Sequence, residues 1–149
     1  MLIHELNMNF NYLPIVYGKI RDPRKGRALP KETMAYKAIA MATKKDHKIA
    51  DVYSRIGEKE RCFGHYIVWN ENVMNTILGN ATMTRGDALE RITELDIIHA
   101  QTFPEDYNFL TDSWHQICYV CGMSVPPIMA KRVVERLIEE KVFQVKGNK

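Results

Sequence analysis

Three prolines fix where the last third of this chain can be helical. Pro104 pushes Phe103 out of helical φ/ψ, so a helix running through "RITELDIIHAQ" must end near Thr102. The start of that helix is marked too. Thr93 followed three residues later by Asp96 forms a capping box, which predicts a two-turn helix from Glu94 with Leu95, Ile97 and Ile98 on its apolar side. "FPEDYNF" is then a turn whose Phe103, Tyr107 and Phe109 pack inward, with Glu105 and Asp106 at its tip. Pro127 suits the first turn of a further helix, because a proline there gives up only an N–H that no intrahelical carbonyl would accept. In that helix Ala130, Val133, Val134, Leu137 and Ile138 recur as one apolar stripe, opposite a wet face of Lys131, Arg132, Glu135, Arg136, Glu139 and Glu140. The pattern predicts a docking helix.

Ahead of residue 91 the periodicity is weaker. "NYLPIVYGKI" reads as a short buried strand or strand pair limited by Pro14. Residues from Glu32 to Lys44 read as a helix, with Met34, Ala38, Met41 and Ala42 at helical spacing as core filler. "CFGHYIVWNENVMNTILG" is rich in β-formers and predicts strands around Tyr66 to Trp69 and Met74 to Leu78. Such a mixture predicts an α+β chain. With 149 residues, 46% hydrophobic and 26% charged, it is sized for one domain, or one with a small lobe. The N-terminus has no cationic lead before an apolar run, and no apolar stretch comes near the ~18 residues needed to span a bilayer. A cytoplasmic protein without a membrane role is the expectation. Three cysteines cannot pair evenly, which fits a reducing compartment.

The charge is uneven along the chain. Residues 1–75 hold 13 Lys+Arg against 8 Asp+Glu, a balance of +5, whereas residues 76–149 hold 8 against 10, a balance of −2. In "KIRDPRKGRALPK", Lys19, Arg21, Arg24, Lys25, Arg27 and Lys31 surround one acid, Asp22. A loop of that kind can follow a phosphate backbone, since each cation gains by releasing condensed counterions; a merely solvated loop has the same composition. Arg21, Arg24, Lys25 and Arg27 are the candidates for contact with double-stranded DNA. A second constellation pairs Cys62 and His65 with Cys118 and Cys121, the ligand types of a tetrahedral zinc site. The long interval between the pairs and the apolar neighbours Ile117, Tyr119 and Val120 favour buried cysteines in a strand instead.

"RITELDIIHAQTFPEDYNF" followed by "GMSVPPIMAKRVVERL" resembles the ninth and tenth conserved blocks of the DNA (cytosine-5) methyltransferases. Arg91, Thr93, Gln101, Phe103, Pro104, Asp106 and Tyr107 match the family's ninth block, and Gly122, Ser124, Val125, Pro126 and Pro127 match its tenth. Upstream, "NTILGN" resembles the segment that closes the family's recognition region, which makes Asn75 and Thr76 candidates for base contact. The resemblance implies a small recognition lobe with short strands over residues 1–90. Residues 91–149 would then be C-terminal helices that in the family pack on a doubly wound α/β methyltransferase domain. It also implies that Gly122, Ser124 and Val125 lie beside an S-adenosylmethionine pocket, and that "FPEDY" is a structural turn rather than a catalytic carboxylate pair. Met123 stands where the family has Asn, so a thioether replaces an amide with two donors.

The machinery of methyl transfer is missing from the sequence. Carbon-5 methylation needs a cysteine thiolate, an acid that engages the base and a Gly-rich turn for the cofactor. No Pro-Cys, no Gly-x-Gly and no Gln-x-Arg-x-Arg occurs, and Glu71-Asn72-Val73, which spells the family's base-binding triplet, lies too close to Thr93 to leave room for a recognition lobe. No catalytic residue is therefore assigned. The expected function is a non-catalytic portion or subunit of a split or truncated cytosine-5 methyltransferase, using S-adenosylmethionine only when completed by a catalytic chain. The alternatives are a stand-alone DNA- or protein-binding module derived from such an enzyme, which could self-associate, and a small metal-stapled structural protein.

Overall fold

In the computed structural model the described residues are 10, 12–59, 64–79 and 82–140. They fold as an α+β unit in which a three-stranded sheet lies between two pairs of helices. The strands are β1 (His65–Val68), β2 (Thr82–Arg85) and β3 (Glu90–Arg91), in that order across the sheet. β1 runs parallel to β2 with His65 opposite Thr82, and β3 returns antiparallel with Thr84 opposite Arg91. Side-chain alternation divides the core. Ile67 packs with α1 (Met34–Ala40) and α2 (Ile49–Arg55) on one face, while Val68 and Met83 pack with α3 (Glu94–Ala100) and α4 (Trp114–Met123) on the other. Tyr17, Val68 and Met83 share that second core with Ile97, Ile117 and Cys118, so residues on both sides of position 90 build one apolar cluster.

The capping box forms as its sequence predicts. Thr93 Oγ1 accepts from the Asp96 N–H at 3.2 Å and Asp96 Oδ2 accepts from the Thr93 N–H at 2.8 Å, and α3 starts at Glu94. After α3 the chain turns sharply, with Thr102 at φ 58°, a conformation that β-branched residues seldom adopt. Thr102 Oγ1 then accepts the N–H of Ile128 at 3.1 Å, at the start of α5 (Pro127–Glu139). Phe103, Tyr107 and Phe109 form a triangle with ring centroids 4.8 to 5.2 Å apart. Phe103 and Phe109 reach the core, whereas Tyr107 remains about half exposed. Thr102, just before "FPEDY", thus ties the end of α3 to the beginning of α5.

Several expectations fail for identifiable reasons. Residues 12–20 of "NYLPIVYGKI" form no strand: they hold a 3-10 turn, Tyr17–Lys19, and a bridge from Val16 to Val73. Turning there buries the Tyr17 ring and brings its hydroxyl to Arg85. The first helix is shorter than Glu32 to Lys44, and it buries Ala38 and Ile39 while Met34 and Met41 lie outward. Residues 74–78 join no ladder, although Ile77 is buried. The strand that does pair with β1 is "TMTR", whose terminal arginine disguises it. Cys118 and Cys121 lie on helix α4 rather than a strand, both buried.

The expectation about apolar length also needs correction. Trp114–Glu139 is long and apolar enough, by length and composition, to cross a membrane, but the chain breaks it at Ser124–Pro126 into α4 and α5.

Candidate nucleic-acid interface

Arg85 fixes the basic loop. It is 1% exposed, and its guanidinium donates to Asp96 Oδ2 at 2.8 and 3.2 Å, to the Tyr17 hydroxyl at 3.0 Å, and to the carbonyls of Asp22 and Arg24 at 3.0 and 2.7 Å. A buried charge is tolerated only when its donors are met, and here each guanidinium nitrogen has an acceptor, with Glu90 Oε2 a further 3.6 Å from Nη1. Burial pushes the Tyr17 phenol well above its ordinary range, so it stays neutral beside the ion pair. Two of Arg85's acceptors belong to the loop itself, which pins residues 22 and 24 to the sheet. The loop's own acid closes the arrangement. Asp22 accepts from Thr93 Oγ1 at 2.7 Å and from Arg24 Nε at 2.9 Å, while its N–H donates to Asp96 Oδ1 at 2.8 Å.

Burial alone would raise the Asp22 carboxyl, but the hydrogen bonds from Arg24 and Thr93 outweigh it and hold the group down at about 2. A depressed folded-state pKa contributes stability that is complete above the usual carboxylate range and disappears as pH falls through the folded value. Asp22 should therefore contribute about 2 kcal/mol at neutral pH, lost between roughly pH 4 and pH 2. Denaturant unfolding of wild type and Asp22→Asn across that window checks it. The two should converge in stability as the pH drops, and a constant gap would refute the assignment.

The loop cations divide into two groups. Arg21 donates to Asn70 Oδ1 and to Asp87 Oδ2, and Arg24 is held by Asp22 and Glu94, so both serve the fold. Lys25 and Arg27 make no ion pair or side-chain hydrogen bond with any described residue. They line a cleft of about 380 Å³ with Arg24, Arg91, Trp114 and His115. Residues 27–29 run antiparallel to β3: Ala28 bridges Glu90, and the Arg91 N–H donates to the Arg27 carbonyl at 2.9 Å. Gly26 permits the approach, because a Cβ there would sit 1.9 Å from the Arg91 carbonyl oxygen. A neighbouring cleft of about 370 Å³, reaching to His65, shares Arg27 and Arg91 with the first. Burial, with Arg91 nearby, holds His65 down to about 4, so this ring is neutral, and its Nε2 lies 2.7 Å from Thr84 Oγ1.

The remaining candidates come together elsewhere. Asn75, Thr76, Gly122 and Ser124 line one cleft of about 420 Å³ with the buried Gln101, whose Oε1 has no hydrogen-bond partner. Val125 points to solvent. Gly122 has a packing role: a Cβ there would lie 2.4 Å from the Gly79 nitrogen. Ser124 Oγ donates to the Cys121 carbonyl at 2.8 Å, closing the end of α4. Gly122 and Ser124 thus line this cleft while also packing and closing the end of α4, and Val125 lies outside it.

Glu105 and Asp106 are both exposed, and Glu105 faces His99 at 3.7 Å, an arrangement of a surface turn. Glu71 is paired with Lys44. Of the zinc candidates, Cys62 lies outside the described residues; among the described residues no cluster of three or more His, Cys, Asp or Glu could hold a metal ion. Burial raises the Cys118 thiol to about 12 and the Cys121 thiol to about 11, which keeps both protonated and unreactive. The sequence reading missed Arg85, Trp114 and His115. Arg85 and Trp114 have partners on distant segments, and no local spacing marks any of the three. The site as a whole is a cationic groove with one indole at its edge. Comparison with protein-family models, curated proteins and solved structures finds no match to this chain.

Proposed function

We propose that this chain is a non-catalytic, DNA-binding portion of a DNA cytosine-5 methyltransferase, working beside a catalytic chain that supplies the nucleophile and the cofactor loop. The observation that carries the reading is α5. It is 13 residues long and amphipathic, yet none of its residues is buried, and Val134 and Ile138 are 50% and 46% exposed. An apolar stripe left open in this way belongs against another surface, and the resemblance of "GMSVPPIMAKRVVERL" to the tenth block supplies the kind of surface: a doubly wound methyltransferase sheet. The cationic groove suits double-stranded DNA, and the reading places the protein in the cytoplasm. A stand-alone binding module is favoured only by the groove, whose lining comes from this chain.

Two measurements test it. The purified chain mixed with duplex DNA and S-adenosylmethionine should transfer no methyl group. It should nevertheless bind the duplex with an affinity that falls as salt rises, by about 0.9 log units per log unit of salt for each phosphate engaged. Val134→Asp should break its complex with a catalytic chain, or its self-association, in sedimentation velocity while leaving the fold intact. Methyl transfer by the chain alone, or salt-independent binding, would overturn the proposal.

A further inference from the structure

We infer that Arg27 and Arg91 together form a phosphate clamp at the junction of the two clefts, with Lys25 and His115 beside it; that the phosphate belongs to DNA rests on the reading above. The antiparallel bridge between Ala28 and Glu90 sets Arg27 opposite Arg91. Like charges placed across a ladder repel, and proteins ordinarily relieve this with a carboxylate. Five of the other six described arginines follow that rule: Arg21, Arg24, Arg55, Arg85 and Arg136 each have an acidic partner, while Arg132 lies over the Tyr12 ring. Arg27 and Arg91 have none among the described residues. Arg91 is instead oriented by the Trp114 indole, with its guanidinium carbon 5.3 Å from the ring centroid, and Trp114 is itself fixed by donating Nε1–H to the Ile92 carbonyl at 3.2 Å.

An anion between two guanidinium groups satisfies both. Phosphate suits best, since its oxygens accept paired N–H donors from planar forks. α4 adds to the field. Its N-terminal residues Trp114 and His115 line the same cleft, and its N-cap, Ser113, makes no side-chain capping bond, so the positive end of the helix is open there. Glu94, the acid at the rim, is already paired with Arg24.

Phosphate can arrive in a duplex backbone or at the end of a free nucleotide, and two probes separate these sources. Binding of a 5′-phosphorylated dinucleotide and of a 20-base-pair duplex would be measured for wild type, Arg27→Gln, the double variant Arg27→Gln/Arg91→Gln, and Lys37→Gln on α1 as a control, with circular dichroism to check folding. Wild type should bind both probes. The double variant should lose at least tenfold for each, with a duplex salt slope shallower by about 0.9, since the clamp engages one phosphate. The single Arg27 variant, whose side chain is exposed and unpaired, should lose about half of that effect on a log scale and keep the fold. Lys37→Gln should match wild type. Dinucleotide binding that the double variant loses, without duplex binding, would leave the clamp standing and remove DNA as its ligand. Duplex binding unchanged in affinity and slope in both Arg27 variants would overturn the clamp and leave the DNA reading intact. Absence of binding to either probe would overturn both.

Discussion

Asp96→Ala is expected to destabilise this protein by about 3–5 kcal/mol, because removing one member of a buried ion pair leaves the other charged and uncompensated. Asp96 is fully buried and does three things at once: one oxygen holds Arg85 and closes the α3 capping box, and the other accepts the N–H of Asp22. Without it Arg85 keeps the Tyr17 hydroxyl and two carbonyls but no carboxylate at hydrogen-bonding distance; Glu90 Oε2 stands 3.6 Å away. The same loss frees the backbone of the basic loop. Urea unfolding would measure the first effect and limited trypsin cleavage after Arg24, Lys25 or Arg27 the second. A drop in stability below about 1 kcal/mol, with the loop no more cleavable than in wild type, would mean that Asp96 does not organise this region. Replacing both charges, as Arg85→Met/Asp96→Leu, should cost less than Asp96→Ala alone, since no unpaired charge is then left inside.

How far the sequence discloses such a site depends on how local its physics is. The α3 start was legible because a capping box is a contract between residues three apart, and both hydrogen bonds form. The Pro127 helix start was legible for the same reason. The Asp22–Arg85–Asp96 network was not. Its members sit 63 and 11 residues from Arg85, and nothing in "TMTR" distinguishes a strand that ends in a buried guanidinium from an exposed one. The basic loop was visible as charge, but composition could not separate cations that hold the fold, Arg21 and Arg24, from those left open, Lys25 and Arg27. Arg91 was visible only as a motif position. Its place opposite Arg27 arises from a bridge between the loop and β3 that no periodicity predicts.

Gly122 carries the other large effect, and there the sign itself is informative. It lies within α4, where alanine is intrinsically better than glycine by about 1 kcal/mol, so a glycine without a tertiary role would make Gly122→Ala stabilising. The geometry predicts the opposite. A Cβ at 122 would stand 2.4 Å from the Gly79 nitrogen and 2.5 Å from the Leu78 carbonyl carbon, both backbone atoms that cannot rotate away. Gly79 also packs on the Tyr119 ring of the same helix, 3.1 Å from where its own Cβ would be, so a retreat of the segment would give up that contact as well. Overpacking of this kind costs about 1–3 kcal/mol or somewhat more, and here it must exceed the propensity gain. Gly122→Ala should therefore be destabilising by about 2 kcal/mol net in urea unfolding. Gly64→Ala, with nothing within 4 Å of its Cβ, serves as the neutral control. The displaced residues follow directly on residues 73–77, which line the cleft with Gly122, so the variant should also shift Asn75 and Thr76 while leaving the separate cleft at Arg27 and Arg91 unchanged. A Gly122→Ala protein more stable than wild type would show that α4 and the 78–79 segment do not pack as described.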